Sequence, residues 1–225
     1  MPFYQHYSFD LWLTLIKSNP HFKKERALFF HKHLNTKHKS IEEVEKTFRK
    51  VDLMSNATNE KTGQNISANE LYLLVLYLIN DNATIFETLD LAWLRQEMES
   101  LTFDYLPLIY DHNTKNTLDK IKQSPESSVS LLSNTGFIEG KTLRKVLNEL
   151  QIADYFDFQL YSDEAGLSKP NPLFFELMIQ TAAVEKNKII HVGDNPKADI
   201  AGGLAVGINV LQINSNDCRI LNLLD

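Results

Sequence analysis

The chain has 225 residues, of which 43% are apolar and 23% charged; this is ordinary usage for a globular protein and excludes a mainly disordered chain. The formal net charge of −6 argues against a general nucleic-acid binder, because such proteins usually carry a basic surface. A single cysteine, Cys218, excludes an intramolecular disulfide, fits a reducing compartment and lies in a polar segment without a catalytic motif.

The N-terminal region does not resemble a secretory signal, since residues 1–16 lack a basic leading segment and a small-residue cleavage site. The most apolar window, LYLLVLYLI at 71–79, is too short to cross a bilayer. We therefore expect a cytoplasmic protein that has no membrane and no nucleic acid as a partner. The sequence does not distinguish a monomer from a homodimer.

The predicted elements begin with one strand, at residues 4–12, which is followed by a helical region that extends to Tyr105. Four segments of that region carry apolar residues at spacings of three and four, which is typical of amphipathic helices: ERALFFHKHL, IEEVEKTFRKVDLM, ANELYLLVLYLI and LAWLRQEMESL. Residues 59–65 form a polar break, and Ser67 or Asn69 is the expected start of the third helix.

After Pro107 the pattern alternates between short strands and helices. The predicted strands are SVSLLSN, FDFQLYS, KIIHVGDN and INVLQI, and the predicted helices are TKNTLDKIKQ, GKTLRKVLNEL, PLFFELMIQTA and DIAGGLAV. This alternation indicates an α/β fold with a doubly wound (Rossmann-like) parallel sheet, which the first strand would join. We therefore predict an α/β core at 1–16 and 107–225 that is interrupted by an all-helical cap domain, the helical insert, at 17–106.

In such a sheet, ligands bind outside the carboxyl ends of the strands, and several acids are expected there. Asp10 follows the first strand, and Asp194 and Asp199 follow the strand KIIHV. Facing carboxylates repel each other, and a hard cation between them removes the repulsion. Mg²⁺ suits this set because it takes oxygen ligands and is usually held by one or two carboxylates and a phosphate. We expect Asp10 and Asp194 to be direct ligands, with Asp199 holding waters of the ion.

A carboxylate can also act as a nucleophile and form an aspartyl-phosphate. Lys169 would offset the negative charge of Asp10 and of the incoming phosphoryl oxygens. Ser133 and backbone N–H groups near Asn134 and Thr135 would bind those oxygens. The expected ligand is therefore a small phosphorylated molecule, and the expected cofactor is Mg²⁺.

Four motifs carry a resemblance to a known family: FDLWLTL, LLSNT, LSKPNPLFF and HVGDNPKAD, in this order. Together they resemble the motifs of the haloacid dehalogenase-like hydrolase superfamily, most of whose members are Mg²⁺-dependent phosphatases. The helical insert lies where that family has its helical cap, between the first and second motifs. The resemblance implies that Asp10 is the nucleophile and a metal ligand, that the carbonyl of Trp12 is a second ligand, and that Thr14 orients Asp10. By the same resemblance Ser133, Lys169, Asp194 and Asp199 take the roles given above.

Two positions depart from the family pattern. The family's phosphatases have a second Asp where this chain has Trp12, and that Asp protonates the leaving oxygen and later activates water. They usually have Gly where this chain has Leu13. General acid–base help is typically worth about 10²–10⁴-fold in rate, which is roughly 3–5 kcal/mol of barrier. Trp12 cannot supply a proton, although its carbonyl can still face a metal ion.

Three functions remain open because of Trp12. The first is a phosphatase whose substrate has a good leaving group, or whose proton comes from the helical insert or the substrate. The second is a 2-haloacid dehalogenase, since that branch has an aromatic residue at this position and needs no metal. The third is a catalytically impaired, phosphate-responsive binding protein. We expect the phosphatase, because dehalogenases do not keep the two acids that Asp194 and Asp199 represent.

Overall fold

The computed structural model describes residues 4–82, 89–214, 219, 220 and 223; Cys218 lies outside these residues. The strands in the described part of the chain are β1 (His6–Phe9), β2 (Ile16–Lys17), β3 (Leu108–Ile109), β4 (Ser128–Ser133), β5 (Phe158–Tyr161), β6 (Ile189–Gly193) and β7 (Asn209–Gln212). Five of them form one parallel sheet in the order β5-β4-β1-β6-β7. The prediction of an α/β fold with a doubly wound sheet is therefore confirmed.

The central strand β1 is buried along its whole length although two of its four residues are polar. His6 bonds to the hydroxyls of Ser128 (2.7 Å) and Ser130 (2.8 Å) on β4, and Ser8 bonds to Nδ1 of His191 (2.9 Å) on β6. Buried polar groups are tolerated when they are hydrogen-bonded, and here the neighbouring strands supply every partner. The polar residues of β1 thus stabilise one register of the sheet.

Helices cover both faces of the sheet. In the core these are α5 (Thr114–Lys122), α6 (Gly140–Glu149), α7 (Ser162–Ala165), α8 (Pro172–Ala182), a π-helical segment at Pro196–Ala201, and α9 (Gly202–Ala205). One apolar cluster joins the sheet to α5 and α6, and a second joins it to α8. In place of the α-helix predicted for DIAGGLAV, the π-helical segment is followed by a single α-helical turn. No described helix has both the length and the apolar character needed to span a membrane.

The helical insert contains α1 (Pro20–His33), α2 (Ile41–Thr62), α3 (Ala68–Ile79) and α4 (Leu91–Asp104), which share a hydrophobic cluster of their own. Ser67 caps α3 by accepting a hydrogen bond from the backbone N–H of Glu70, which decides between the two predicted starts. The predicted polar break began too early, because α2 continues to Thr62 and ends only at Gly63, whose φ is +70°. The chain leaves and re-enters the core through the antiparallel pair β2–β3. The division into two domains stays a prediction.

The end of α2 contacts the core directly. The carbonyl of Gly63 accepts hydrogen bonds from the backbone N–H of Ser168 (3.0 Å) and from Nδ2 of Asn171 (3.0 Å). Nearby, the hydroxyl of Ser162 donates to Oδ1 of Asn65 (2.7 Å). These bonds fix one end of the helical insert to the loop that carries the predicted catalytic lysine.

Candidate active site

A cleft of about 640 Å³ separates the carboxyl ends of the core strands from the helical insert. The core side of the cleft carries acids from two strand ends, together with the lysine of the third motif: Asp10, Lys169, Asp194 and Asp199. The insert side carries residues of α1 and α2. This is the place where doubly wound sheets bind their ligands, and the predicted acids do meet there.

Lys169 lies at the centre of the site and is 1% exposed. Its ammonium donates to Oδ1 of Asp10 (2.7 Å) and to Oδ1 of Asp199 (2.6 Å). Three residues that are far apart in the sequence thus form one buried ion-pair network. The contact with Asp10 uses only one of its two carboxylate oxygens.

Burial and the charges of this network together shift the pKa values of its members in different directions. Burial raises the pKa of Asp10, and the attraction of Lys169 offsets the effect only in part. Burial also raises the pKa of Asp194, to about 6, and the negative charge of Asp199 adds to this shift. Burial also acts to raise the pKa of Asp199, but the interactions with Lys169 and His191 outweigh burial and hold this pKa below its usual range. Burial opposes the charge of Lys169, yet Asp10 and Asp199 keep its pKa above normal.

Carboxylate oxygens of Asp10, Asp194 and Asp199 lie within 4.8 Å of one another, close enough to hold one metal ion. Lys169 supplies a single positive charge against these three acids; burial raises the pKa values of Asp10 and Asp194, and the negative charge of Asp199 raises both further. A set of oxygen donors with excess negative charge fits Mg²⁺. The residues present therefore fit the predicted cofactor.

Asp199 is held by more partners than the sequence indicated. Its Oδ1 accepts from Nε2 of His191 (3.1 Å) as well as from Lys169, and its Oδ2 accepts from the backbone N–H of Asn195 (2.9 Å). Because both oxygens are engaged, Asp199 is better suited to position the other groups than to bind an ion directly. The contact of His191 with Asp199 was not predicted, because its signal in the sequence is a single polar residue inside an apolar strand.

The second motif contributes in a different way from the one predicted. The side-chain amide of Asn134 brackets the backbone of Lys169, accepting from its N–H (2.7 Å) and donating to its carbonyl (3.0 Å). Asn134, Thr135 and Gly136 line the cleft. Ser133 is fully buried, its hydroxyl donates to the carbonyl of Asn134 (3.2 Å), and it is not among the lining residues. Phosphoryl binding by Ser133 stays a prediction.

The first motif shows how the two departures are accommodated. The ring of Trp12 packs against the core cluster of the sheet and also lines the cleft, so no ionisable side chain stands at this position. Leu13 has a φ of +58°, a conformation that favours glycine, and its side chain is half exposed. The hydroxyl of Thr14 is buried without a hydrogen-bond partner among the described residues, and the direct contact with Asp10 comes from Lys169. The orientation of Asp10 by Thr14 stays a prediction.

The comparisons with known proteins agree with this geometry. The family model described as haloacid dehalogenase-like hydrolase matches residues 5–207, which is most of the chain. The chain therefore belongs to the haloacid dehalogenase-like hydrolases, and the prediction made from the four motifs is confirmed.

Individual relatives match over shorter stretches. The pyrimidine 5'-nucleotidase YjjG of Escherichia coli is 29% identical over 91 residues, which covers 40% of this chain and 39% of that protein. The ribulose-1,5-bisphosphate 5-phosphatase of Halopiger xanaduensis is 30% identical over 105 residues, covering 47% of this chain and 42% of that protein. The matches thus span less than half the length of these curated relatives.

Solved structures match over nearly the whole chain. The putative HAD-hydrolase YfnB of Bacillus subtilis, a structure bound to magnesium, superposes with a TM-score of 0.69. Its sequence is 15% identical, and the match covers 95% of this chain and 90% of that one. At this identity the likeness shows the fold alone.

Proposed function

We propose that the chain is a Mg²⁺-dependent phosphatase of small phosphorylated molecules, with Asp10 as the nucleophile. The observation that carries the proposal is the buried contact of Asp10 with Lys169, in a cleft that Asp194 and Asp199 also line. Lys169 favours the ionised form of Asp10, which is the form that can attack phosphorus.

In the proposed reaction an oxygen of Asp10 attacks phosphorus, and the ester P–O bond breaks with its electron pair leaving on the alcohol oxygen. The phosphoryl group stays on Asp10 until water attacks phosphorus and returns the carboxylate. Lys169 offsets the charge on Asp10 and on the phosphoryl oxygens throughout. A bound Mg²⁺ would add positive charge at the same oxygens, held by Asp10 and Asp194 and by the carbonyl of Trp12.

Two of the similar proteins support the substrate class, because their names describe the release of phosphate from a nucleotide and from a sugar bisphosphate. The magnesium in the YfnB structure supports the choice of cation. The cluster of three acids supports it independently, since dehalogenation needs no metal and such a cluster would repel a haloacid carboxylate.

The leaving oxygen receives no proton from position 12, because an indole cannot act as an acid here. The reaction should therefore prefer substrates whose leaving group is weakly basic, or substrates that carry their own proton donor. This is the main difference that we propose between this chain and the family's usual phosphatases.

The test is hydrolysis of an aryl phosphate with and without Mg²⁺, using Asp10→Asn as the control. We expect multiple turnover that requires Mg²⁺ and is lost in the variant. Turnover that persists in a chelator, or that is equal in Asp10→Asn, would remove Asp10 and the metal from the mechanism.

Two alternatives give different results in the same assay. A phosphate-responsive binding protein, which Trp12 would explain, should bind beryllofluoride with Mg²⁺ in a manner that needs Asp10 while turnover stays negligible. A 2-haloacid dehalogenase should release halide from haloacids in the presence of a chelator. Mg²⁺-dependent phosphate release would contradict both.

A further inference from the structure

Arg26 occupies a position on α1 where an apolar residue would be expected. It lies on one face of the helix with Phe22 and Phe30, each four residues apart, and all three are buried. The side chain of Arg26 is only 6% exposed. A buried guanidinium is costly unless its donors are bonded, so the position calls for an explanation.

The surroundings of Arg26 are almost entirely aromatic. Its guanidinium carbon lies 4.2 Å from the ring centroid of Phe48, 4.3 Å from that of Phe137 and 5.4 Å from that of Phe22. These are favourable cation–π distances, and the rings fix the guanidinium in place. The rings stabilise the positive charge but accept no N–H hydrogen bond in the plane of the guanidinium.

The hydrogen-bonding capacity of Arg26 is only partly used within the described part of the chain, where its guanidinium donates to the hydroxyl of Tyr72. Its Nε is buried without a partner. No carboxylate in residues 4–82 or 89–214 lies within ion-pair distance of it, although Asp52 is near enough to favour its charge. Arg49, on the same wall of the cleft, pairs with Asp52 instead (3.3 Å).

Arg26 also lies at the boundary between the helical insert and the core, because it lines the same cleft as Asp10 and Lys169. The ring of Phe137 beneath it belongs to the core loop that follows the second motif, two residues after Thr135. A rigid, charged fork with a free donor thus borders the cavity in which the phosphoryl group would bind. Arginine in this setting binds oxyanions through paired hydrogen bonds.

We propose that Arg26 binds a second anionic group of the substrate, a carboxylate or a further phosphoryl group, and so selects substrates with two negative groups. The inference rests on the proposed function, because it assumes that the first phosphoryl group lies against Asp10. Arg26 would be a specificity-determining residue: it supplies the charge that the rings hold in place, and the substrate supplies the missing acceptor.

The test is calorimetric binding of phosphonates, which cannot be hydrolysed, in the presence of Mg²⁺. One series carries a carboxylate one, two or three carbons from phosphorus, a second carries another phosphonate, and the matched controls end in methyl. We expect the wild type to bind at least one anionic member about tenfold or more tightly than its methyl control, as a hydrogen bond to a charged group implies. The two anionic series tell a carboxylate from a second phosphoryl group.

The variants are Arg26→Met, Arg26→Lys and, as the matched control, Arg49→Met, which removes an exposed arginine from the same wall. Arg26→Met should abolish the preference for the anionic series, Arg26→Lys should weaken it, and Arg49→Met should keep it. Melting temperatures show which variants fold. If Arg26→Met does not fold, the comparison of the anionic preference between the wild type and Arg26→Lys tests the inference.

Three results would overturn the inference: no preference in the wild type, including no detectable binding, a preference that survives in Arg26→Met, or one unchanged in Arg26→Lys. Aryl phosphate turnover separates this outcome from failure of the proposed function. Turnover without an anionic preference would support the phosphatase function and contradict the role of Arg26. A preference without turnover would support the role of Arg26 and contradict the phosphatase function.

Discussion

A β-carbon on Gly193 would stand 2.3 Å from the carboxylate carbon of Asp199, a distance so short that one of the two groups would have to shift. Gly193 ends β6, and Asp199 returns over it from the π-helical segment to reach Lys169. Glycine at this position is therefore what permits the acidic motif to fold back on its own strand.

We predict that Gly193→Ala disrupts the site, because either Asp199 or the end of β6 must move. The expected result is loss of aryl phosphate turnover and a lower melting temperature. Gly136→Ala is the matched control, since a β-carbon there meets nothing within 4 Å, and it should retain its melting temperature. Normal turnover in Gly193→Ala would show that the position of Asp199 is not critical.

Trp12→Asp should restore the missing general acid. We expect a gain of about 10²–10⁴-fold on alkyl phosphates, whose leaving groups are strongly basic, and a much smaller gain on aryl phosphates. Trp12→Asn is the control, because it has the same size and cannot transfer a proton. Equal gains in both variants would mean that the tryptophan only blocks access to the cleft.

Lys169→Met should destabilise the fold as well as abolish turnover, because two buried carboxylates would then face each other without a cation. Breaking a buried ion pair costs about 3–5 kcal/mol. Lys186→Met, which breaks an exposed pair with Glu176, should cost about 1 kcal/mol or less. Urea denaturation without divalent cations measures both, and equal costs would contradict a central role for Lys169.

Leu13→Gly should stabilise the protein. A left-handed conformation costs a non-glycine residue about 1–2 kcal/mol, which glycine would relieve. The greater entropy of glycine in the unfolded chain offsets about 0.5–1 kcal/mol of this stabilisation. Leu53 is equally exposed, at 51% like Leu13, but lies inside α2, so Leu53→Gly should destabilise by about 1 kcal/mol. Destabilisation by both changes would contradict the assignment of strain to residue 13.

His6 should make the stability depend on pH. Burial lowers its pKa from 6.5 to about 4, although Asp157 opposes the shift. Between these two pKa values the unfolded chain binds more protons than the folded protein, so the free energy of unfolding rises with pH. The stabilisation that His6 contributes is fully present above about pH 6.5. The shift corresponds to roughly 3 kcal/mol, lost as the pH falls towards 4.

The measurement is the denaturation midpoint between pH 4 and 7 for the wild type and His6→Gln. Glutamine can bond to Ser128 and Ser130 but does not titrate, so the pH slope should become shallower. An unchanged slope in His6→Gln would exclude His6 as the source.

Sequence patterns were sufficient for the elements that are long and periodic. The strands predicted in SVSLLSN and KIIHVGDN are found at Ser128–Ser133 and Ile189–Gly193, and the helix predicted in ANELYLLVLYLI is found at Ala68–Ile79, because burial and capping residues mark them locally. The two-residue strands β2 and β3 were not predicted, because elements that short carry no periodicity and exist only where the chain enters and leaves the helical insert.

The same distinction holds for the site. That Asp10, Asp194 and Asp199 meet was predictable, since parallel strands deliver their carboxyl ends to one edge. The role of His191 was not, because its bonds depend on the register that sets it opposite Ser8. The bracket of Asn134 around Lys169 joins two loops, and no local pattern encodes the contact.

The bonds from Gly63 to Ser168 and Asn171 lie on either side of Lys169, one residue before it and two after it. Two hydrogen bonds therefore join the residue that ends α2 to the lysine loop. A rotation that opens the helical insert must either break these two bonds or turn about them, and in the second case the pivot lies beside the lysine. Any such movement would then act on the loop that holds the positive charge of the site.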